Sequence, residues 1–409
     1  MTGSGSPAAE SDSADFILLL ARALHRFGYP SHSLEETLSV ASQRLGIEAQ
    51  FFATPTAIFA GFGALPAQRS FLIRTEPGEV NLEKLSQLVE ITRGVLGGGV
   101  SPAEGSRRVH SILVQKPRYG PALTVLAYAV AAAGGSRFLG GGLREIAASA
   151  GIGLLVGSLA IAARRSPRAV GRIFEPAAAF LASLLAAGIA ARVMPLSVFN
   201  VTLASLLVLL PGLTLTVAFT ELASRHLVSG TSRFSGAVMM FLAIGIGVAI
   251  GTQAAARLFG HAPHAMIQAL PAWTLLPALL LGPVAFAVQL KADPRDIPWI
   301  LLAGWTAFLG GRAGAFLLGP GLGVFVGALS LGLASNLYTR LRGRPASVTL
   351  VPGLILLVPG SVGFQSVQSL LGEEVLPGVG TAIRVMVMGA ALAAGLLVAD
   401  IGLPPRKVA

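Results

Sequence analysis

The chain has 409 residues, of which 53% are hydrophobic and 12% charged, with a net charge of +11 and a mean hydropathy of +0.73. A soluble domain carries about 25% charged residues, so this composition excludes an ordinary soluble enzyme. The 50 glycines follow no three-residue period, which excludes collagen, and the absence of Cys excludes disulfides, thiolate zinc sites and cysteine nucleophiles.

In chain order, residues 1–14, rich in Ser, Gly, Ala and acid, read as a disordered tail. They lack the basic and apolar regions of a secretory signal peptide, so the domain that follows is expected in the cytosol. Helical periodicity covers 16–27 and 33–45, with Ser33-Leu34-Glu35-Glu36 as a capping box and Gly46 as the stop. The Phe-, Thr- and Ile-rich stretch 48–62, broken by Pro55, predicts two short strands, and 70–75 predicts a third. Asn81 caps a helix ended by Gly97-Gly98-Gly99, and Ser101 with Glu104 makes a second capping box. The sum is a small α+β domain over 15–118. His25, Ser31, His32 and Glu35 lie close together, and a Ser/His/Glu hydrolase site would need them to converge. Their spacing does not require it, and a cap with solvated helix faces is the expected reading.

Ten apolar stretches follow, each near the roughly 20 residues that a membrane span needs. They are 119–136, 143–163, 174–194, 196–221 and 234–256, then 271–290, 297–318, 321–338, 347–370 and 380–400. The charge explains itself here. Residues 1–119 hold 11 basic and 11 acidic side chains, whereas 120–409 hold 19 and 8. Basic residues clustered on a polar domain would point to nucleic acid. These instead punctuate apolar runs, so no nucleic acid is expected. From a cytosolic N-terminus, the even-numbered junctions and the C-tail hold thirteen basic residues and the odd-numbered junctions hold six: Arg137, Arg144, Arg192, Arg257, Arg312 and Arg384. The positive-inside rule then puts both termini in the cytoplasm.

Two motifs recur 141 residues apart: Leu209-Leu210-Pro211-Gly212-Leu213 in span four, and Leu350-Val351-Pro352-Gly353-Leu354 in span nine. Gly230-Thr231-Ser232-Arg233 follows the first, and Gly380-Thr381-Ala382-Ile383-Arg384 follows the second. The membrane part, 119–260 and 270–403, therefore reads as a five-plus-five inverted repeat, a plan of secondary transporters. Pro removes a backbone donor and clashes with the preceding turn. Interrupted spans at matching positions are the sequence pointer to a transport site. A half-helix starting at Pro211 and Gly212 would turn its positive end toward a substrate carboxylate, with Thr214, Thr216 and Thr220 available to polar groups. Span nine adds Pro352, Gly353, a second break at Pro359-Gly360, and Ser361. The alternative is that Pro-Gly only kinks the helices and the hydroxyls bond back to carbonyls.

Ionisable groups inside a membrane are costly and are functional candidates. Glu145, Glu175, Glu221 and Asp400 lie near span ends, where each could instead face water or pair with Arg144, Arg172, Arg225 or the C-tail. Glu221 ranks first, as a proton or substrate-ammonium site, because it ends the interrupted span. Gln253 and Asn336 are neutral polar groups in apolar runs that would line a path. No Walker A loop and no metal-ligand spacing occurs, so no cofactor is expected, and an ion gradient, the substrate gradient or a partner subunit must drive transport.

The order of features resembles the threonine/serine exporter family over nearly the whole chain. The carriers of that likeness are Leu24, Gly28, Glu35-Glu36 and Phe52-Ala53-Thr54-Pro55-Thr56, then Leu-Pro-Gly in span four, Glu221 and Ser229-Gly230. The resemblance implies export of threonine and serine across a bacterial inner membrane, driven by the proton-motive force. It carries over to Pro211, Gly212, Glu221, Gly230, Arg233, Pro352 and Gly353. Dicarboxylate export and a hydrolase-like or regulatory cytosolic domain are its alternatives, and a passive channel or receptor is a further one. The expected partners are a small polar amino acid, protons and lipid, with self-association left open.

Overall fold

The computed structural model describes residues 7–76, 78–166, 173–263, 266–357, 360–372 and 375–405. The N-terminal domain comprises α1 (Pro7–Arg26), α2 (Ser31–Arg44), β1 (Ala49–Thr54), β2 (Ala57–Phe62), β3 (Arg69–Arg74), α3 (Leu82–Leu96) and α4 (Pro102–Val114). The strands form an antiparallel meander in which Phe52 pairs with Phe59 and Phe59 with Leu72. One sheet face is covered through Ile58, Ala60 and Phe62, and the helices close the core with Phe16, Leu20, Leu24, Leu34, Leu38, Leu85 and Val109. These are the apolar positions of the helical periods, so burial follows the sequence pattern directly.

Two local expectations change. Helix α1 begins at Pro7, so it takes in 7–14 of the expected tail. Helix α2 begins at Ser31 behind Pro30, so Ser33 lies inside it and makes no cap. The stretch Ser31–Glu36 continues the helical pattern without a break, and Pro30 sets the start because its fixed φ cannot extend the helix backwards through a bonded N–H. The caps at Asn81 and Ser101 form as expected, accepting from the Lys84 and Glu104 N–H groups. The Glu104 carboxylate, however, takes Arg107 and Arg108 as partners.

The remaining helices are α5 (Pro121–Phe138), α6 (Leu143–Arg165), α7 (Phe174–Arg192), α8 (Val198–Leu206), α9 (Gly212–Ala223), α10 (Leu227–Phe259), α11 (Leu275–Gln289), α12 (Ile297–Arg342), α13 (Ser347–Leu357), α14 (Gly360–Leu371) and α15 (Val375–Gly402). Among the described residues, seven helical segments are long and apolar enough to cross a membrane. Three features explain why ten apolar stretches give seven such segments. Helix α12 holds two arms joined at Gly319, whose φ of 81° only glycine adopts cheaply. Helices α8 and α9 are each too short to span, because Pro211 separates them. Helix α5, with 18 residues, also falls outside the seven.

Span nine departs from the expected symmetry. Helix α13 runs through Pro352 without ending, and Gly353 packs against Leu331. Pro352 is the sixth residue of α13, so the helix carries it internally and forgoes the N–H bond to the Val348 carbonyl. The second break, Pro359-Gly360, touches residues 358–359, which lie outside the described residues.

The connections sort onto two sides. On one side the N-terminal domain meets the bundle. Leu82 and Glu83 donate their N–H groups to the carbonyls of Leu290 and Lys291 (3.0 and 3.2 Å). Glu79 pairs with Lys291 and Arg164, both at 2.7 Å, and Arg93 donates to the Gly343 carbonyl. On the other side, Arg137 donates to Thr274 (2.7 Å) and Arg192 to the Phe259 carbonyl (3.0 Å).

Candidate functional site

Helix α9 starts at Pro211 and buries Gly212, Leu215, Thr216, Ala218 and Glu221 along one face. Thr214 falls on the opposite, exposed face, so it does not join the site. Glu221 has no exposed surface. A charge without water needs partners, and three elements supply them. A short turn at Ser224–His226, with Arg225 at φ 65°, reverses the chain into α10. Gly230 then lies against Leu222 and the Ala218 carbonyl, where a Cβ would stand 2.9–3.0 Å from backbone atoms. That close approach brings Arg233 onto Glu221, with its Nε at 3.2 and 3.1 Å from the two carboxylate oxygens.

The third partner comes from the N-terminal domain. The Ser31 N–H donates to Glu221 Oε1 at 3.0 Å, across 190 residues of sequence. Ser31 is the first residue of α2, where N–H groups lack helical partners and the dipole favours an anion. One turn on, Glu35 accepts from the Ala53 N–H at 2.7 Å and lies 3.4 Å from His226 Nε2. The His32 and His226 rings stand 5.9 Å apart. His25 is buried against the Thr54 carbonyl at 2.9 Å. Burial holds His25 below its ordinary value of 6.5, against the Thr54 carbonyl that raises it. Burial also lowers His32, opposed by Glu221 and assisted by His226.

The solvated faces expected for His25, Ser31, His32 and Glu35 are therefore corrected. His25 is 3% and Ser31 0% exposed, because this surface is the contact between domain and bundle. Ser31 Oγ has no hydrogen-bond partner among the described residues, so neither His25 nor His32 is bonded to it. The other acids also differ from expectation. Glu145 accepts from the Gly142 and Ser197 N–H groups at 3.0 Å each. Asp400 accepts from Asn336 at 2.7 Å.

One cavity adjoins this cluster through His32, Glu36 and Thr220, and a second lies at the start of α9. The larger, about 410 Å³, lies between the N-terminal domain and the bundle. Thr216 and Thr220 from α9 face Asn336 and Asp400 from α12 and α15, and His32 closes it from α2. Both threonine hydroxyls donate back to their own helix, to the carbonyls of Gly212 and Thr216, so they offer lone pairs to the cavity. The smaller, about 270 Å³, brings Gly212 and Ser361 together beside Thr124, Tyr128 and Gln289. The starts of α9 and α14 thus do converge. Gln253 does not: it is exposed on the outer face of α10. Pro352 and Gly353 lie buried in α13 and line neither cavity.

A helical bundle with membrane-length segments and a small α+β domain docked on one side defines a multi-span membrane protein. The chain belongs to the threonine/serine exporter family: residues 15–255 match the family described as "Putative threonine/serine exporter", and 278–401 match "Threonine/Serine exporter, ThrE". It is also similar to the pheromone-regulated membrane protein 10 of Pichia sorbitophila, with 28% identity over 86% of this chain and 36% of that protein. The proteins of the same name from Candida albicans (28% identity, 86% and 33%) and Yarrowia lipolytica (29% identity, 86% and 30%) are alike in this respect. The chain spans about a third of the length of these relatives. No solved structure matches.

Proposed function

We propose that this chain is a secondary active transporter that exports threonine, serine or similar small polar amino acids, driven by the proton-motive force. The observation that carries this reading is the 410 Å³ cavity, in which polar groups of the first membrane half face polar groups of the second beside the buried Glu221–Arg233 pair. Its volume lies within the roughly 300–1,000 Å³ of small-molecule sites, and its hydroxyl, amide and carboxylate groups suit a zwitterion with a polar side chain. Alternating access between two inverted halves of five spans follows from the same reading. In it, span four is the α8–α9 pair, α12 gives two spans, and α13 with α14 gives the ninth.

The sidedness of the connections supports a topology with both termini on the cytoplasmic face of a bacterial inner membrane. The junctions that carry Arg164, Lys291 and Gly343 all touch the N-terminal domain, and those that carry Arg137 and Arg192 lie opposite. The Glu221 carboxylate is the coupling site in this account. Counterflow in reconstituted vesicles tests the reading. Unlabelled threonine inside should drive uptake of labelled threonine, and serine should compete where a dicarboxylate does not. Movement of label without counterflow would make the protein a channel.

A further inference from the structure

Glu221 is held by two groups that belong to different parts of the molecule. Arg233 is a neighbour on the bundle, but the Ser31 N–H arrives from the N-terminal domain. Around this contact three buried polar atoms have no hydrogen-bond partner among the described residues: His25 Nδ1, Ser31 Oγ and His32 Nδ1. Such atoms are rare in folded proteins, and here they gather at one contact. The same domain surface closes the 410 Å³ cavity through Tyr29, Pro30 and His32. Moving the start of α2 away from Glu221 would therefore open that cavity on the N-terminal domain's side.

We propose that the start of α2 is the inner gate of the cavity and that the charged Glu221 carboxylate is its latch. One proton taken up from water by a Glu221 carboxylate oxygen gives a neutral carboxyl. The ion pair with Arg233 is lost, and the Ser31 N–H faces a weaker acceptor. The charged and titratable groups around the latch are His25 on α1, His32, Glu35 and Glu36 on α2, His226 at the start of α10 and Arg233 within it. Glu221 attracts a protonated His25 or His32 and Arg233 repels it, so loss of the Glu221 charge removes the attraction and leaves the repulsion. His25 and His32 gain charge beside the Arg233 guanidinium as pH falls. Acid therefore frees the gate. This inference rests on the transport reading for its purpose: in an antiport cycle, a proton arriving at Glu221 from outside opens the inner side, and its departure lets the gate close. The docking itself can be measured without any substrate.

The chain has no Cys, so two introduced ones report alone. Spin labels on Gln43→Cys in α2 and Arg342→Cys at the end of α12, both exposed positions, give the domain-to-bundle distance by pulsed dipolar spectroscopy of the full chain in nanodiscs. Between pH 8 and pH 5, a single docked distance should give way to a second, longer population. Glu221→Gln should show the longer population already at pH 8, with its dependence on pH reduced. Should Glu221→Gln fold poorly, Ser31→Pro removes the donating N–H together with the unpartnered hydroxyl, at a first helical position that accepts proline, and should likewise show the longer population at pH 8. One docked distance at every pH in wild type and variants overturns the latch. So does an identical pH midpoint in wild type and Glu221→Gln. Opening with no threonine movement would leave the latch standing and remove the exporter reading. Coupled export with a domain that stays docked would do the reverse.

Discussion

Glu221 has no surface in contact with water, and its stability depends on Arg233 and on one N–H from another domain. Removing one partner of a buried pair leaves an uncompensated charge and costs about 3–5 kcal/mol. The side chain of Arg233 keeps 18% of its surface exposed, so the lower end of that range applies. Arg233→Ala should therefore lower the melting temperature in detergent, while Arg233→Lys restores part of it. Glu221→Gln should leave threonine movement detectable but flatten its dependence on the pH gradient. Coupling that stays normal in that variant would remove Glu221 from the proton path. The histidines add a second pH effect. His25 and His32 are held below 6.5 by burial, so docked protein binds fewer protons than undocked protein. Stability of the docked state is then full above about 6.5 and declines as pH falls below it. Hydrogen exchange in α1 and α2 should accelerate over that window, and less so in His25→Gln. The sequence singled out Glu221 as an acid that ends a Pro-broken span, and Arg233 through the recurring Gly-Thr stretch and the family resemblance. It could not pair Ser31 with Glu221, because a backbone N–H carries no residue signature and 190 residues intervene.

Elements show the same division between local and long-range information. Strands β1–β3, the Asn81 and Ser101 caps and the stop near Gly97 were all legible, because alternation, turn residues and cap chemistry act within a few residues. The break before α9 was legible for the same reason. The motif match at Pro352 was misleading: Pro211 stands ahead of α9, whereas α13 starts five residues before Pro352 at Ser347 and carries that proline inside the helix. Thr214 and Gln253 were misplaced because helical phase relative to distant neighbours is set by packing. Packing also makes small residues indispensable where helices touch. Helix α10 lies against α7 through Gly251, where an added Cβ would meet the Phe180 carbonyl and Ser183. Overpacking costs about 1–3 kcal/mol, so Gly251→Val should lower the melting temperature through the α7–α10 contact, with Gly236→Val, in open space, as the neutral control.

At the scale of the whole molecule, the +11 charge describes sides of a bundle. Its basic junctions gather where the N-terminal domain docks, through Arg164 and Lys291 with Glu79. Burial raises Glu79, but Lys291 and Arg164 outweigh it and hold the carboxyl below its usual value. The domain thus grips several connections at once, which no reading of the sequence in separate domains anticipated. Deleting residues 1–118 should change both the rate of export and its dependence on internal pH, and unchanged export would leave the domain without a part in transport. The central claim is proton-driven export of a small polar amino acid by this chain. The most direct measurement is efflux of radiolabelled threonine from proteoliposomes loaded with it, with and without an inward-directed pH gradient. The account predicts efflux that a gradient accelerates several-fold and that a protonophore returns to the ungated rate; no threonine movement, or efflux indifferent to the gradient, would contradict it.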